Sequence, residues 1–461
     1  MTVDSLEQAD EFVHDVAVIG AGVVGCAVAR LLTIHGASVV VLERNVDVGA
    51  ATSKANTAIL HTGFDATPGS VEARLVARGY ELLRTYAPSV GVSIEETGAL
   101  LIAWDDAQLA SLNGVKVKAA VNGYDLTEII DAAEVRSLEP HLGPGALGGL
   151  LVPDEHIIDP WSTPIAFATE AHANGAVFVL NFAVDTVSVG AEVTTLRSAD
   201  QRRVAARFVV NCAGLHGDTV HRMFGFDGFS IRPRRGELIV FDKLARPLLS
   251  RTILPVPTPT TKGVLVAPTV FGNVMLGPTA DDIDDRAATG TTREGLDELL
   301  MKGRRILPDL PDHEVTAVYA GLRAATEHSD YQLSAHADAR YVCLGGIRST
   351  GLTASMALAE HAQSLLSEIG HDASANEAHE PVAVRLTPLG EADDRPYRSG
   401  GRIVCHCERV TEGEIVDACT GPLPATNVDG LRRRTRALAG RCQGFYCFAE
   451  ICSLVGWVPS A

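Results

Sequence analysis

A glycine-rich turn near the start of the chain constrains its fold more than any other feature. The apolar stretch HDVAVIGAG leads into Gly20-x-Gly22-x-x-Gly25 and a helical pattern, and the next apolar stretch, ASVVVLER, contains Glu43 at its end. In such a unit Gly20 permits a tight turn, Gly22 lets the backbone approach a pyrophosphate, and Gly25 lets helix and strand pack closely. Because a helix N-terminus attracts phosphate, the constellation predicts a dinucleotide-binding α/β unit, with Glu43 accepting hydrogen bonds from an adenosine ribose.

Two later segments favour a flavin over a nicotinamide nucleotide. RFVVNCAGLHGD is a second apolar strand that leads to Gly214, which suits backbone contact with a bound nucleotide. VCLGGIRSTGLTASMALAEHA predicts a strand, a turn at Gly345 and Gly346, and a helix beginning near Gly351. A helix N-terminus there can stabilise negative charge on the pyrimidine ring of a reduced flavin.

Length and charge limit the class of protein. A chain of 461 residues predicts two or three domains, and alternating strand and helix patterns up to about residue 366 indicate an α/β architecture. A formal net charge of −18 argues against a nucleic-acid partner. No apolar stretch has the length of a membrane span, and the acidic N-terminus does not resemble a secretory signal. We therefore expect a cytoplasmic protein; its oligomeric state stays open.

The cysteines are concentrated at the C-terminal end, where six of the nine lie. Four of them form two close pairs: Cys405 and Cys407, and Cys442 and Cys447. Two short loops that each bring two thiolates together can make a sulfur cage for zinc or for a 2Fe–2S cluster. We favour the cluster, because an electron carrier suits a flavoenzyme, and we expect Cys419 and Cys452 to be bystanders.

The same region contains a basic run: Arg432, Arg433, Arg434, Arg436 and Arg441. Two interpretations stay open. The run forms a solvated helix face, or it raises the potential of an anionic cluster or docks an acidic redox partner.

Several long stretches carry a resemblance to a known family: GAATSKANTAILHTGFDATPGS, PRRGELIVFDK, KGVLVAPTVFGNVMLGPTADD and GGIRSTGLTAS. The chain resembles the D-amino-acid-oxidase-type FAD oxidoreductases, and within them the flavin subunit of anaerobic glycerol-3-phosphate dehydrogenases and the L-2-hydroxyglutarate dehydrogenases. RIVCHCERVTEGEI and RCQGFYC resemble the bacterioferritin-associated-ferredoxin-like module, which binds a 2Fe–2S cluster. The four-residue gap between Cys442 and Cys447 resembles the versions fused to dehydrogenases.

The resemblance implies a Rossmann-type FAD-binding domain, a β-rich α+β substrate domain and a small helical 2Fe–2S domain. The FAD-binding domain is expected over about 10–65, 160–225 and 335–370 of an oxidoreductase region spanning 1–370. The substrate domain is expected over about 66–160 and 226–334. A linker is expected over 371–400 and the ferredoxin-like domain over 401–461.

The resemblance also extends the set of expected FAD-binding residues beyond the first glycine turn. Backbone contacts, turn residues and small polar side chains make up this set: Arg44, Thr52, Ser53, Asn56, Val184, Ala213, Gly214, Gly346, Gly351, Leu352 and Thr353.

Three residues are candidates for the catalytic chemistry. His61 matches the histidine near the flavin in related hydroxyl-oxidising enzymes and suits proton transfer, and a core histidine bonded to backbone is the alternative. Arg323 and Arg348 can each form paired hydrogen bonds to a carboxylate or phosphate, although a surface role is the alternative for Arg348. Glycerol-3-phosphate dehydrogenases carry an arginine shortly after the histidine, where this chain has Phe64 and Asp65. This difference favours a 2-hydroxy acid over glycerol 3-phosphate as the substrate.

The resulting hypothesis is an FAD-dependent dehydrogenase of a small anionic secondary alcohol. Electrons would pass through the 2Fe–2S cluster to a redox partner protein or quinone-linked subunit, with peripheral association at the inner membrane through that partner. An amino-acid or amine dehydrogenase and a non-catalytic electron-transfer subunit are the alternatives. His216 is the next candidate base if His61 is not the proton acceptor.

Overall fold

The computed structural model describes residues 12–257, 263–372, 380–391 and 400–457. The chain divides into two compact units. The first unit consists of Met1–Lys54, Thr163–Pro233 and Arg323–Arg385, and the second consists of Ala55–Ser162, Arg234–Leu322 and Leu386–Ala461. The expected linker extends over 371–400, of which 373–379 and 392–399 lie outside the described residues.

The helices and strands of the described residues follow in chain order. The helices are α1 (Val23–Ile34), α2 (Val71–Ser89), α3 (Asp106–Val121), α4 (Ala132–Leu138), α5 (Ser162–Ala173), α6 (Gly217–Met223), α7 (Arg293–Ile306), α8 (Gly351–Glu368), α9 (Glu412–Thr420), α10 (Val428–Thr435) and α11 (Phe448–Val455). The strands are β1 (Val13–Ile19), β2 (Val39–Leu42), β3 (Ile59–Leu60), β4 (Ile94–Glu95), β5 (Ala99–Ala103), β6 (Glu128–Asp131), β7 (Gly148–Val152), β8 (His156–Ile158), β9 (Val177–Val179), β10 (Val184–Val189), β11 (Thr194–Ser198), β12 (Arg203–Asn211), β13 (Ile231–Phe241), β14 (Thr252–Pro255), β15 (Leu265–Pro268), β16 (Val274–Gly277), β17 (Asp281–Asp282), β18 (Val315–Thr326), β19 (Gln332–His336), β20 (Tyr341–Gly345), β21 (Ile403–Cys405) and β22 (Val410–Thr411).

The first unit is built on a mixed sheet in the order β10-β11-β12-β1-β2-β9, with β20 beside β12 and β19 beside β20. β1 is parallel to β2 and β12, and β12 is parallel to β20. β2 and the C-terminal half of β1 are buried, as continuous apolar strands of a covered parallel sheet should be, and α1 contacts α8. Because these four strands run in one direction, the turns that follow them meet at one edge of the sheet.

The second unit contains a larger sheet in the order β17-β13-β16-β15-β14-β5-β7-β6, with β18 beside β13. Its core includes the buried side chains of Leu100, Ile239, Phe241, Val266 and Leu276. A small sheet has β8 between β3 and β4. The predicted α/β class, with a Rossmann-type sheet and a β-rich second region, is confirmed.

The C-terminal part of the second unit has a small core of its own. The hairpin of β21 and β22 and the helices α9, α10 and α11 enclose the buried residues Val410, Ile415, Leu431 and Ile451. α9 begins at a capping box in which the side chains of Thr411 and Glu414 bond each other's backbone N–H groups. In the described part of the chain, no helix is long and apolar enough to cross a membrane.

Candidate functional site

The glycine turn after β1 has no space for side chains. Gly20 has φ +103°, and a Cβ added there would lie 2.5 Å from the carbonyl oxygen of Cys212. A Cβ added to Gly25 would lie 1.9 Å from the carbonyl oxygen of Gly20, so α1 packs directly against the turn. Gly22 is the N-cap of α1. The backbone N–H groups at the start of this helix therefore face the turn, as an anion site requires.

Two side chains complete this turn. The carboxylate of Glu43, which is buried, accepts hydrogen bonds from the N–H of Ala21 at 2.7 Å and of Asn45 at 2.8 Å. The hydroxyl of Ser53 accepts from the N–H of Val23, the first residue of α1, at 2.9 Å. Glu43 is thus held at the end of β2, and Ser53 lies at the helix N-terminus, which fits the ribose and pyrophosphate of a dinucleotide.

The later glycine turns lie at the same edge of the sheet. The N–H of Ala213 donates to the side chain of Asn211 at 3.1 Å, and Gly214 and Gly346 both have positive φ values of +53° and +66°. Gly351 begins α8. The side chains that follow it, Leu352 and Thr353, are buried, and their contacts with FAD stay a prediction.

Three further expected residues are spread over the first unit. Val184 begins β10 two residues after Phe182, whose N–H donates to the carbonyl of Glu43 at 2.7 Å. Val184 therefore lies two residues from a backbone contact with the end of β2, where the adenosine is expected to bind. Arg44 is exposed, and its guanidinium contacts Nε2 of His216. His216 is the next candidate base after His61, and its Nε2 is engaged by this contact.

Thr52 and Asn56 lie on either side of the boundary between the units. Thr52 begins the short 3₁₀ helix Thr52–Lys54 of the first unit. In the second unit the side-chain oxygen of Asn56 accepts from the N–H of Ala58 at 2.8 Å, and its carbonyl accepts from the hydroxyl of Tyr319 at 3.0 Å. Their expected contacts with FAD stay a prediction.

His61 is paired with a buried carboxylate in the second unit. Its Nδ1 lies 2.7 Å from Oε1 of Glu155, and the imidazole is 19% exposed whereas Glu155 is fully buried. The other carboxylate oxygen, Oε2, accepts from the N–H and the hydroxyl of Thr62 at 2.7 and 2.9 Å. The sequence singles out His61 but gives no sign of Glu155, because the two are 94 positions apart and only strand pairing brings them together.

The two candidate arginines have different surroundings. Arg323 is a half-buried residue of β18, and Arg348 donates a hydrogen bond to the carbonyl of Ser329. Phe64 is buried in an apolar cluster of the second unit, and Asp65 is half-buried. Position 64 therefore belongs to the core. A side chain at this position could contact a phosphate only if the backbone followed a different course here.

The four paired cysteines line one cavity of about 400 Å³. Its walls are Val404, Cys405, His406, Cys407, Cys442, Tyr446, Cys447 and Glu450. Cys419 and Cys452 lie outside this lining, in keeping with a bystander role.

The thiols of this cavity are arranged as two pairs. The side chains of Cys405 and Cys447 are hydrogen-bonded to each other, and so are those of Cys407 and Cys442. Zinc requires four ligands around one ion, whereas each iron of a 2Fe–2S cluster takes two thiolates. The four cysteines match the ligand number of a 2Fe–2S cluster, with two thiolates for each iron.

The protonation of Cys405 also suits a metal ligand. The hydrogen bond between Cys405 and Cys447 lowers the pKa of the Cys405 thiol and raises the pKa of the Cys447 thiol. Backbone hydrogen bonds from Leu438 and Glu408 also lower the pKa of Cys405. A thiolate is the form that binds iron, and within this pair Cys405 is the thiol that loses its proton first.

The arginine run is largely internal, and its interpretation as a solvated helix face is wrong for Arg433 and Arg436, which are 1% and 5% exposed. Arg434 donates to the carbonyl of Leu423 at 2.9 Å, and Arg441 donates to Asp242 at 2.7 Å. Helical periodicity could not reveal this, because α10 ends before Arg436, which has φ +70°.

Arg436 links the C-terminal part of the second unit to its larger sheet region. Its guanidinium donates to Glu408 and to the side-chain oxygen of Asn273, each at 3.3 Å. It also lies over the rings of Phe271 and Trp161, with centroid distances of 4.2 and 5.3 Å. A buried cation is thus satisfied by one carboxylate, one amide and two aromatic faces.

Comparison with known proteins agrees with both sites. Residues 15–365 match the family described as FAD dependent oxidoreductase, and residues 403–456 match the BFD-like [2Fe-2S] binding domain. The chain belongs to the FAD-dependent oxidoreductase family. Its cofactors are FAD and a 2Fe–2S cluster, as the sequence predicted.

Several individual proteins are similar to this chain over more than half of its length. The chain is 34% identical over 450 residues to a glycerol 3-phosphate dehydrogenase of Caloramator mitchellensis, covering 96% of this chain and 93% of the relative. It is 27% identical to an L-2-hydroxyglutarate dehydrogenase of Salmonella houtenae, covering 58% and 64%. The solved L-alpha-glycerophosphate oxidase of Mycoplasma pneumoniae with FAD bound has a TM-score of 0.74 at 28% identity, covering 77% of this chain and 95% of that one.

Proposed function

We propose that this protein oxidises a small anionic secondary alcohol to the ketone, with glycerol 3-phosphate as the first candidate substrate. One observation carries the proposal: the match to a glycerol 3-phosphate dehydrogenase extends over 96% of the chain, so it includes both the FAD-binding and the cysteine-rich regions. Two mycoplasma relatives named as glycerol 3-phosphate oxidases, matched over 77% and 76% of the chain, point to the same substrate class.

The chemistry needs a hydride acceptor, a proton acceptor and an anchor for the anionic group. FAD held at the glycine turn after β1 would supply the two-electron acceptor for the hydride of the substrate C–H bond. A base of the protein would take the O–H proton as the carbonyl forms. His61 is the base in this proposal, because an imidazole that is 19% exposed and paired with a carboxylate is suited to general-base catalysis. Arg323 is the anchor, because guanidinium binds carboxylate and phosphate through paired hydrogen bonds.

The acceptor of the electrons is external to the chain. Two electrons must leave the flavin before the next turnover, and a one-electron 2Fe–2S centre on the same polypeptide supplies an exit. A dehydrogenase that passes electrons to a redox protein or a quinone-linked partner is therefore preferred over an oxidase. Peripheral association at the inner membrane would follow from such a partner.

A 2-hydroxy acid is the second candidate substrate. The resemblance to glycerol 3-phosphate dehydrogenases implies an arginine where this chain has Phe64 and Asp65, and Phe64 is buried in the core. Half-buried Asp65 would repel a phosphate rather than bind it. Relatives named L-2-hydroxyglutarate dehydrogenase support this candidate. Solved glycine oxidases, at 20% and 21% identity, share the fold alone, so amino-acid oxidation has weaker support.

Anaerobic reduction of the bound flavin tests the proposal. Glycerol 3-phosphate, a set of 2-hydroxy acids and a set of amino acids are each mixed with the holoenzyme, and flavin bleaching is followed. We expect an anionic secondary alcohol to bleach the flavin and Arg323→Ala to raise its apparent Kd about tenfold or more, with a smaller effect on the limiting rate. Bleaching by amino acids alone would contradict the proposal, and bleaching by none would favour an electron-transfer subunit.

A further inference from the structure

The partner of His61 is set by the small sheet of the second unit. β3 and β8 are antiparallel, and Leu60 lies opposite His156. The next positions of this ladder are His61 and Glu155, so strand register directs the two side chains toward each other. The resulting contact between Nδ1 and Oε1 is 2.7 Å, on a carboxylate that is fully buried.

We propose that Glu155 is a positioning residue that holds His61 in the tautomer with its proton on Nδ1. An ionised carboxylate can only accept hydrogen bonds, so the ring nitrogen that faces it must donate. A neutral imidazole then has its lone pair on Nε2, the nitrogen that takes the hydroxyl proton of the substrate. This inference rests on the proposed function of His61 as the proton acceptor. Glu155 further stabilises the imidazolium that forms when the proton arrives.

Thr62 keeps the carboxylate in this orientation. Its backbone N–H and its hydroxyl both donate to Oε2 of Glu155, and a backbone N–H has no capacity to accept. An amide in place of Glu155 must therefore turn its oxygen toward Thr62 and its NH₂ group toward Nδ1 of His61. The imidazole then has to accept at Nδ1 and carry its proton on Nε2. Glu155→Gln thus conserves shape but reverses the tautomer.

The second unit offers a matched control. Glu237 is also fully buried, and it accepts hydrogen bonds from the N–H and the hydroxyl of Thr292, both at 2.9 Å. Its remaining described partner is Arg235, at 3.3 Å. Glu237→Gln therefore reports what a buried carboxylate and a threonine contribute to folding, without a histidine beside them.

A double-mutant cycle on anaerobic flavin reduction tests the inference, with the anionic alcohol that reduces the wild-type holoenzyme best. We expect Glu155→Gln to slow the limiting rate about 100-fold without loss of FAD, and His61→Ala to slow it by about two to four orders of magnitude. In the His61→Ala background, Glu155→Gln should change the rate by no more than about twofold, because Glu155 acts through the histidine. Glu237→Gln should leave the rate near that of the wild type.

If Glu155→Gln does not fold, Thr62→Val provides the milder test, since it removes one donor to Oε2. It should slow reduction severalfold in the wild-type background and not in the His61→Ala background. Full additivity of either pair would overturn the positioning role, although the proposed oxidation of an alcohol would stand.

The tautomer itself is measured without substrate, by ¹⁵N NMR of the histidine-labelled oxidised holoenzyme, with the His61 signals assigned by their loss in His61→Ala. We expect the proton on Nδ1 in the wild type and on Nε2 in Glu155→Gln. A wild-type ring protonated on Nε2 would overturn the inference. If no alcohol reduces the wild-type flavin, the proposed function fails, and this spectrum still decides whether Glu155 sets the tautomer.

Discussion

The two cofactor regions of this protein are built on opposite principles. The turn of the first unit presents backbone N–H groups, and its glycines are required because side chains would collide with neighbouring backbone. The C-terminal cavity presents thiol side chains on two short loops. In the first region the cofactor site and the packing of the unit are the same contacts. In the second region Cys405 and Cys447 belong to the buried apolar core, whereas Cys442 lies outside it. Substitution of Cys442 should therefore separate the cofactor from the fold, and substitution of the glycines should not.

The largest effect is expected from Gly25→Ala. The new Cβ would lie 1.9 Å from the carbonyl oxygen of Gly20, so α1 and the turn after β1 would have to move apart. We expect loss of bound FAD together with poor folding, measured by flavin content and thermal unfolding. Gly114→Ala is the control, because nothing lies within 4 Å of its added Cβ in the helix α3, and it should retain FAD and stability. A stable Gly25→Ala protein that binds FAD would show that the cofactor site of the first unit does not depend on this packing contact.

Cys442→Ser should remove the 2Fe–2S cluster completely and leave the FAD-binding region unaffected. The substitution removes one thiol of the pair formed with Cys407, and we expect the visible absorbance and iron of the cluster to disappear. FAD content and flavin reduction by substrate should be unchanged, while turnover with an acceptor reached through the cluster should stop. Cys419→Ser is the matched control and should retain two irons per chain. Loss of FAD in Cys442→Ser would show that the two regions are not separable.

The sequence predicted both cofactor regions but not the side-chain contacts between distant segments. A glycine turn and a cysteine spacing are local signals, because each motif consists of residues that are close together in the chain. The partnership of His61 with Glu155 depends on strand register, and that of Arg436 with Phe271 depends on the packing of distant segments. Charge and periodicity therefore left a solvated helix face open as one of two interpretations of the arginine run. They did not show that the left-handed backbone at Arg436 ends the helix.

Arg436→Met should weaken the C-terminal part of the second unit without removing a ligand. After this substitution Glu408 still forms an ion pair with Lys243 at 3.3 Å. The cation–π contact between Arg436 and the ring of Phe271 is lost. We expect a loss of about 2–4 kcal/mol in the free energy of unfolding, followed in urea by the cluster absorbance. Arg402→Met, at a 63% exposed side chain, should cost less than about 1 kcal/mol. Equal effects of the two substitutions would contradict a linking role for Arg436.

The smallest effect is expected from a side chain in the backbone-built site. Ser53→Ala removes the hydroxyl that accepts from the N–H of Val23 at 2.9 Å, so the start of α1 loses one acceptor. Loss of a comparable helix-capping contact costs about 1 kcal/mol, which corresponds to a Kd for FAD raised about fivefold. Titration of the apoprotein with FAD measures it, with Ser70→Ala at the start of α2 as a control that should lower stability similarly and leave the Kd unchanged. A complete loss of FAD in Ser53→Ala would mean that this side chain, and not the glycine backbone, holds the nucleotide.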